Sequence, residues 1–219
     1  MTQTHLLVLA SNSPRRRELL ALGGWTFNLD VADINEDVLP GEDAAAYVER
    51  LAVEKARTIL PRSRPEHIII GSDTTVVLDG EILGKPVDAA EARSMLTRLR
   101  GRSHQVYTGI AVLRASDQSL FSDVCLTEVP MRNYSDTEMK AYIESGDPLD
   151  KAGAYGIQSP NFQPVINMQG CYASVMGLPL CHLTVLLRNL DIHPQANVAR
   201  NCQATLNYTC PVFRSILDK

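Results

Sequence analysis

Apolar and polar positions alternate along this chain in two rhythms, one of strands and one of helices. Leu6-Leu7-Val8-Leu9-Ala10 is a short continuous apolar run and reads as a buried first strand. A helix is predicted from about Pro14 to Leu22, with Ser13 as N-cap and Pro14 at the first helical position, stopped by Gly23-Gly24. An acidic stretch from Asp30 to Asp43 leads to a second helix over Ala44–Leu60, closed by Pro61. His67 to Leu78 reads as a strand. Asp79-Gly80 then marks a tight hairpin into Glu81-Ile82-Leu83. A third helix opens on the pair Asp88 and Glu91, read as a capping box, and ends at Gly101. Strands follow near Gln105–Arg114 and Leu120–Arg132, then a helix capped by Ser135 and Glu138 that ends at Gly146. Two further strands, Gln163–Met168 and Cys171–Met176, and a helix from about Pro179 to Leu190 complete the expected core. The alternation is that of an α/β protein with one large domain, or two lobes sharing one sheet. After His193 the periodicity lapses, so residues 1–193 read as the domain and 194–219 as an appended tail.

Composition narrows the classes. The 219 residues are 45% hydrophobic and 21% charged, enough apolar material for a continuous core. Lys and Arg number 21 against 25 Asp and Glu, a net charge of −4. Nothing in that balance supports general nucleic-acid binding, which needs a cationic excess. No apolar run approaches the roughly 20 residues of a spanning helix, so no membrane association is expected. The five cysteines include no C-x-x-C pair, which argues against a disulfide framework or structural zinc and for a reducing cytoplasm.

Four places break local folding rules. Ser11-Asn12-Ser13-Pro14-Arg15-Arg16-Arg17 places cations at a helix N-terminus, the wrong end of the macrodipole unless an anion is bound there. Arg15, nearest the loop, is the candidate, whereas Arg16 and Arg17 read as a solvated face. Lys55 lies on the inward stripe of the second helix, between Leu51 and Ile59. Asp73 interrupts a buried strand and must meet a cation, a metal or hydrogen-bond donors. Counting outward from the Asp79-Gly80 turn puts Lys85 within one residue of Asp73, with Gly84 as a possible bulge that re-aims it. Asp150-Lys151-Ala152-Gly153-Ala154-Tyr155-Gly156-Ile157-Gln158 combines flexible glycines with an amide that donates and accepts. Weaker candidates are Arg102, His104 and Thr108 as a polar cluster, Glu36 and Asp37 as cation ligands or plain loop acids, and His182 as a core histidine. Zincin, serine-hydrolase, P-loop and dinucleotide-binding motifs are absent. Three cations, one costly carboxylate and a reading amide suit a nucleoside polyphosphate, whose hydrolysis needs positioning and charge stabilisation more than covalent chemistry.

These blocks, with Arg50-Leu51-Ala52, Gly71-Ser72-Asp73-Thr74, Gly84-Lys85-Pro86, Gly101-Arg102-Ser103-His104-Gln105-Val106 and Gly177-Leu178-Pro179-Leu180, closely resemble the Maf-like nucleoside triphosphate pyrophosphatases, in the right order over roughly residues 5–192. The resemblance implies an elongated mixed β-sheet flanked by helices, similar to inosine triphosphatases, with a cleft between two lobes. It implies a hydrolase of the α–β phosphoanhydride, a divalent metal (Mg or Mn), a homodimer and a cytoplasmic location. Matched by motif, Asp73 falls on the proton acceptor; Arg15, Thr74 and Gln158 on the positions that set base preference; Ser13, Lys55 and Lys85 on phosphate-side positions; Glu36 with Asp73 on the metal side. The Arg15, Thr74, Gln158 combination is that of the branch acting on dTTP and UTP, with roles in nucleotide-pool cleansing and restraint of septum formation. Alternatives are the same reaction on modified or purine triphosphates, or a nucleotide-sensing regulator of cell division without turnover. Cys171 stands where the family usually has Ser, and the tail has no family counterpart.

Overall fold

The computed structural model describes residues 6–218. Their backbone is built on one six-stranded mixed sheet. Its strands are β1 (Leu6–Leu9), β2 (Phe27–Leu29), β3 (His67–Leu78), β4 (Glu81–Leu83), β5 (Ser103–Arg114) and β6 (Leu120–Pro130), in the order β2-β1-β3-β5-β6 with β4 paired to β3. β1 runs parallel to β2 and β3, and the remaining pairs are antiparallel. The helices are α1 (Pro14–Ala21), α2 (Ala44–Ile59), α3 (Ala89–Leu99), α4 (Asp136–Glu144), α5 (Tyr172–Met176), α6 (Leu180–Arg188), α7 (Val198–Leu206) and α8 (Phe213–Leu217). The expected α/β class and flanked mixed sheet are therefore present. Residues 1–5 of the expected 1–193 domain lie outside the described residues.

Local chemistry explains most boundaries. Ser13 caps α1 by accepting from the Arg16 amide, and Asp43 caps α2 by accepting from the Ala46 amide. Ser135 and Glu138 close a reciprocal capping box on α4. At α3 the box is displaced by one residue. Asp88 accepts from the Glu91 amide, but the Glu91 carboxylate reaches the Val87 amide instead of that of Asp88. The hairpin register pairs Leu78 with Glu81 across Asp79-Gly80, both at positive φ.

Helix α2 lies unusually close to the sheet. A Cβ on Gly71 would sit 1.9 Å from the Ala52 carbonyl oxygen, and one on Gly109 would sit 2.2 Å from that of Val48. Only glycine at these two positions lets the helix backbone touch β3 and β5. The apolar stripe Val48, Leu51, Ala52, Ala56 and Ile59 is wholly buried by this approach.

Three expectations are corrected. Residues 163–168 form no strand, only an isolated bridge between Met131 and Val165. Pro164 offers no amide hydrogen, and Gln163 and Asn167 adopt positive φ, which interrupts extension. Residues 171–176 form helix α5, not a strand. Short apolar runs do not separate the two by periodicity, and Gly177 at φ 109° ends the helix after five residues. The stretch after His193 is not irregular, since α7 and α8 form within it and pack on α6. Its start is tied to the core by the Trp25 indole donating to the His193 carbonyl and by the Gln195 amide donating to Gly23.

Candidate active site

A cleft of about 650 Å³ gathers side chains from six stretches of chain. Ser13, Arg15 and Arg16 enter from the start of α1, Glu36 from the acidic loop, Lys55 from α2, Asp73 and Thr74 from β3, Lys85 from beyond β4, and Gln158 from the glycine-rich segment. Every residue singled out as a site candidate by the family resemblance is in its wall.

The centre is an ion triad. Lys55 Nζ lies 2.6 Å from Asp73 Oδ1 and 2.6 Å from Glu36 Oε1. Lys55 is 6% exposed and Asp73 7%, so both charges are satisfied mainly by each other. Burial pushes the Glu36 carboxyl up. The hydrogen bond and charge of Lys55, helped by Lys85 and Arg16, outweigh that and hold it below its ordinary value. Tyr47 from α2 donates its hydroxyl to the Glu36 carbonyl at 2.8 Å and so fixes the loop that carries the acid. The phenol itself is pushed up to about 12 by burial and by the charges of Asp73 and Glu36.

Arg16 is the residue the sequence reading placed wrongly. It is not a solvated base but a strut across the cleft floor. Its Nε donates to the Gly177 carbonyl at 2.9 Å, Nη1 to Ser11 Oγ at 3.3 Å and Nη2 to Thr74 Oγ1 at 3.2 Å. Burial lowers its pKa, partly offset by Asp73. The signal was available, because Arg16 stands three and four residues before the buried Leu19 and Leu20 and so shares their face. Thr108 Oγ1 donates to the Ser174 carbonyl at 2.8 Å, so at the 3.0 Å contact it accepts from Thr74. Thr74 thus receives Arg16 and gives to Thr108. Ser72, wholly buried, donates to the Gly177 carbonyl at 2.9 Å and lies 3.0 Å from that of Gly109.

The glycine-rich segment forms the facing wall as two short 3-10 turns, Asp147–Asp150 and Ala152–Ala154. Lys151 is a staple of that wall. Its buried ammonium donates to the Asp147 carbonyl, to Asp147 Oδ1 at 2.9 Å and to Asp150 Oδ1 at 2.6 Å. Asp150 also reaches across to Arg15 Nη1 at 3.5 Å, spanning the cleft mouth. His104 Nε2 meets the Tyr155 hydroxyl at 2.7 Å, and burial alone pushes His104 down to about 4. Gln158 itself is exposed at the rim.

Lys85 reaches the cleft by a different device from the one expected. No bulge re-aims it. The β3–β4 ladder ends at Leu83, and Gly84 turns away to accept from the Gly153 amide at 3.0 Å. Arg102 stays outside, paired with Asp79, and His182 pairs with Asp123 at 2.7 Å, so neither joins the site.

Among the described residues no group of three or more His, Cys, Asp and Glu could hold a metal alone. The donor set nonetheless fits a shared ion. Magnesium typically takes one or two protein carboxylates and completes its shell from water and phosphate oxygens. Glu36 and Asp73 already hold one cation, the Lys55 ammonium, between them.

Comparison with known proteins gives one consistent result. The family profile described as "Maf-like protein" matches residues 6–190. A protein named dTTP/UTP pyrophosphatase from Hahella chejuensis is 47% identical over 188 residues, which is 85% of this chain and 92% of that protein. One of the same name from Myxococcus xanthus is 50% identical over 187 residues, 85% of this chain and 93% of its own length. Among solved structures, the Staphylococcus aureus Ham1 protein aligns with 74% of this chain and 80% of its own at 14% identity, with a TM-score of 0.46. No helix of the described residues is long and apolar enough to cross a membrane. With the profile spanning residues 6–190 and relatives 47% and 50% identical covering 85% of the chain, this protein belongs to the Maf-like family.

Proposed function

We propose that this chain is a nucleoside triphosphate pyrophosphatase that hydrolyses dTTP and UTP to the monophosphate and pyrophosphate. The observation that carries the reading is the Glu36–Lys55–Asp73 triad, with Lys55 and Asp73 buried and Glu36 exposed, in a cleft rimmed by Arg15, Lys85 and Gln158. The names of the relatives from Hahella chejuensis and Myxococcus xanthus support it.

In this reading the triphosphate lies between α1 and the 147–158 wall. Lys55 holds Asp73 by Oδ1, and Oδ2 accepts a proton from water as that water attacks the α-phosphorus. The bond from the α-phosphorus to the bridging oxygen breaks, and pyrophosphate departs. Arg15 and Lys85 balance the charge that builds on the phosphate oxygens, while Ser13 at the start of α1 binds the end of the triphosphate. Arg16 keeps Thr74 in place through its 3.2 Å hydrogen bond. The Gln158 amide accepts from N3–H of thymine or uracil and donates to a ring carbonyl. Glu36 and Asp73 would hold a divalent cation together with phosphate oxygens, and that ion would supply further charge neutralisation at the phosphates. A cytoplasmic location, a homodimeric state, action on the nucleotide pool, a link to septum formation and the absence of nucleic-acid binding are parts of the same proposal, the last supported by the net charge of −4.

The test is a substrate screen across nucleoside triphosphates with Mg²⁺ and with Mn²⁺, run on the wild type and on Asp73→Asn. The expected result is pyrophosphate release from dTTP and UTP, reduced by about 10²–10⁴-fold in the variant. Equal release by both proteins removes Asp73 from the mechanism. Triphosphate binding without any product makes the chain a sensor, and preference for purine or modified triphosphates moves it to another substrate branch.

A further inference from the structure

The stretch after His193 lies beyond residues 6–190 matched by the family profile, yet it comes back toward the substrate cleft. Helix α7 ends at Asn207, whose left-handed φ of 46° turns the chain, and the Tyr208 amide donates back to the Gln203 carbonyl at 3.1 Å. That turn delivers the Tyr208 side chain to the segment before α5. Its hydroxyl accepts from the Gly170 amide at 3.2 Å, and its proton is within reach of two carbonyls, Gly170 at 3.0 Å and Met168 at 3.1 Å. Its ring meets that of Tyr172, the first residue of α5, at 5.4 Å between centroids and 44° between planes. The Tyr172 hydroxyl in turn donates to the Ile157 carbonyl at 3.2 Å. Ile157 is the residue before Gln158. One cavity of about 450 Å³ is lined by Leu206, Asn207 and Tyr208 of the tail together with Ile157 and Gln158.

We propose that Tyr172 and Tyr208 are positioning residues for base recognition, through which the C-terminal tail sets the Gln158 amide. This role rests on the reading in which Gln158 recognises thymine or uracil, whereas the tail's hold on the segment does not.

Among the described residues nothing hydrogen-bonds the Gln158 side chain, so its placement depends on its backbone. That backbone is gripped at two neighbouring positions. The Gly156 amide donates to the Tyr142 hydroxyl of α4 at 2.9 Å, and the Ile157 carbonyl accepts from Tyr172 of α5. Tyr142 is itself fixed, since its hydroxyl donates to Asp147 Oδ2 at 2.7 Å and its ring stacks on Phe162 at 4.2 Å. Tyr172 opens a helix of only five residues, which has little stability of its own. The Tyr208 ring and hydroxyl supply its second support. A recognition group already held in its bound orientation loses less freedom when the base arrives. Loosening it therefore raises KM and leaves the chemistry at Asp73 alone.

The test uses the full chain with two single-oxygen deletions that keep both rings. Tyr172→Phe cuts the bond to Ile157, and Tyr208→Phe cuts the hydroxyl's hold on residues 168–170. Tyr172→Phe should raise KM for dTTP and UTP about fivefold, which corresponds to roughly 1 kcal/mol, with kcat kept. Tyr208→Phe, one contact further away, should raise it about twofold. Amide hydrogen exchange over residues 156–163 should quicken in both. In a Gln158→Ala background neither change should move KM further, a result that a general loss of stability would not give. An unchanged KM in Tyr172→Phe overturns the positioning role, and an unchanged KM in Tyr208→Phe removes the tail from it. An equal further rise of KM in the Gln158→Ala background overturns the route through Gln158. If the chain turns over no nucleotide, the pyrophosphatase reading fails by itself. Exchange over residues 156–163 then decides the tail's hold on the segment, and calorimetric UTP affinity of the two variants against wild type decides its effect on binding.

Discussion

The two walls of the cleft each contain a buried lysine, and the two lysines do different work. Lys55 and Lys151 are 6% and 7% exposed. Lys55 stands on a sixteen-residue helix pressed against the sheet at Gly71 and Gly109, and its partners, Asp73 and Glu36, face the cleft. Lys151 stands in a segment whose longest helical turn is four residues, and its partners, Asp147 and Asp150, lie in that same segment. The first lysine orders an acid brought from another element. The second orders its own loop, tying Asp147 and Asp150 to one ammonium. A buried cation therefore signals function only when its partners are distant in sequence and open to a cavity.

Four substitutions or titrations break or sharpen that contrast. The largest effect is expected for Lys55→Met, which leaves Asp73 and Glu36 without their shared cation. Removing one member of a buried ion pair costs about 3–5 kcal/mol, so urea denaturation should show that loss together with a kcat for dTTP lowered by about 100-fold or more. Next comes the pH dependence of the second wall. Folded His104 sits near 4 and an unfolded histidine near 6.5, so the unfolded chain binds more protons between those values. Stability is then fully present above about 6.5 and is lost as pH falls toward 4. The loss is on the order of 3 kcal/mol, and His104→Gln should remove that part of the slope in a pH series of denaturation midpoints. Lys151→Met should cost about 1–3 kcal/mol and raise KM while leaving kcat nearly unchanged, since the acid, its lysine and the water site are untouched. A fall in kcat equal to that of Lys55→Met would erase the distinction between the walls. Gln158→Glu, at an exposed rim position, should leave the melting temperature within about 1 °C and raise KM for dTTP and UTP by roughly 10-fold, a 1.4 kcal/mol loss of recognition.

Much of the fold was legible because its signals are local. The Ser13-Pro14 start of α1, the Asp79-Gly80 hairpin and the Ser135–Glu138 box each specify a boundary within four residues of chain, and all three formed. The segment 163–176 was misread because its alternation suits a strand, while Pro164 and the positive φ of Gln163 and Asn167 deny it a ladder. In the cleft wall, Asp73, Lys55 and Arg15 were singled out because each is costly where the pattern puts it, and Lys85 by counting outward from the Asp79-Gly80 turn. Arg16 was lost because the middle one of three consecutive arginines looks like a solvated face until its spacing to Leu19 and Leu20 is weighed.

By itself, then, the sequence determined which segments become helices or strands and which charged residues sit at odds with their surroundings, since both follow from neighbours one to four positions away. Only the tertiary structure decided who answers those charges. Lys55 meets Asp73 because two glycines let α2 touch the sheet, and Arg16 meets Gly177 across 161 positions. Contacts at such separations depend on how close two backbones can approach, a property of packed elements and of no single stretch of chain.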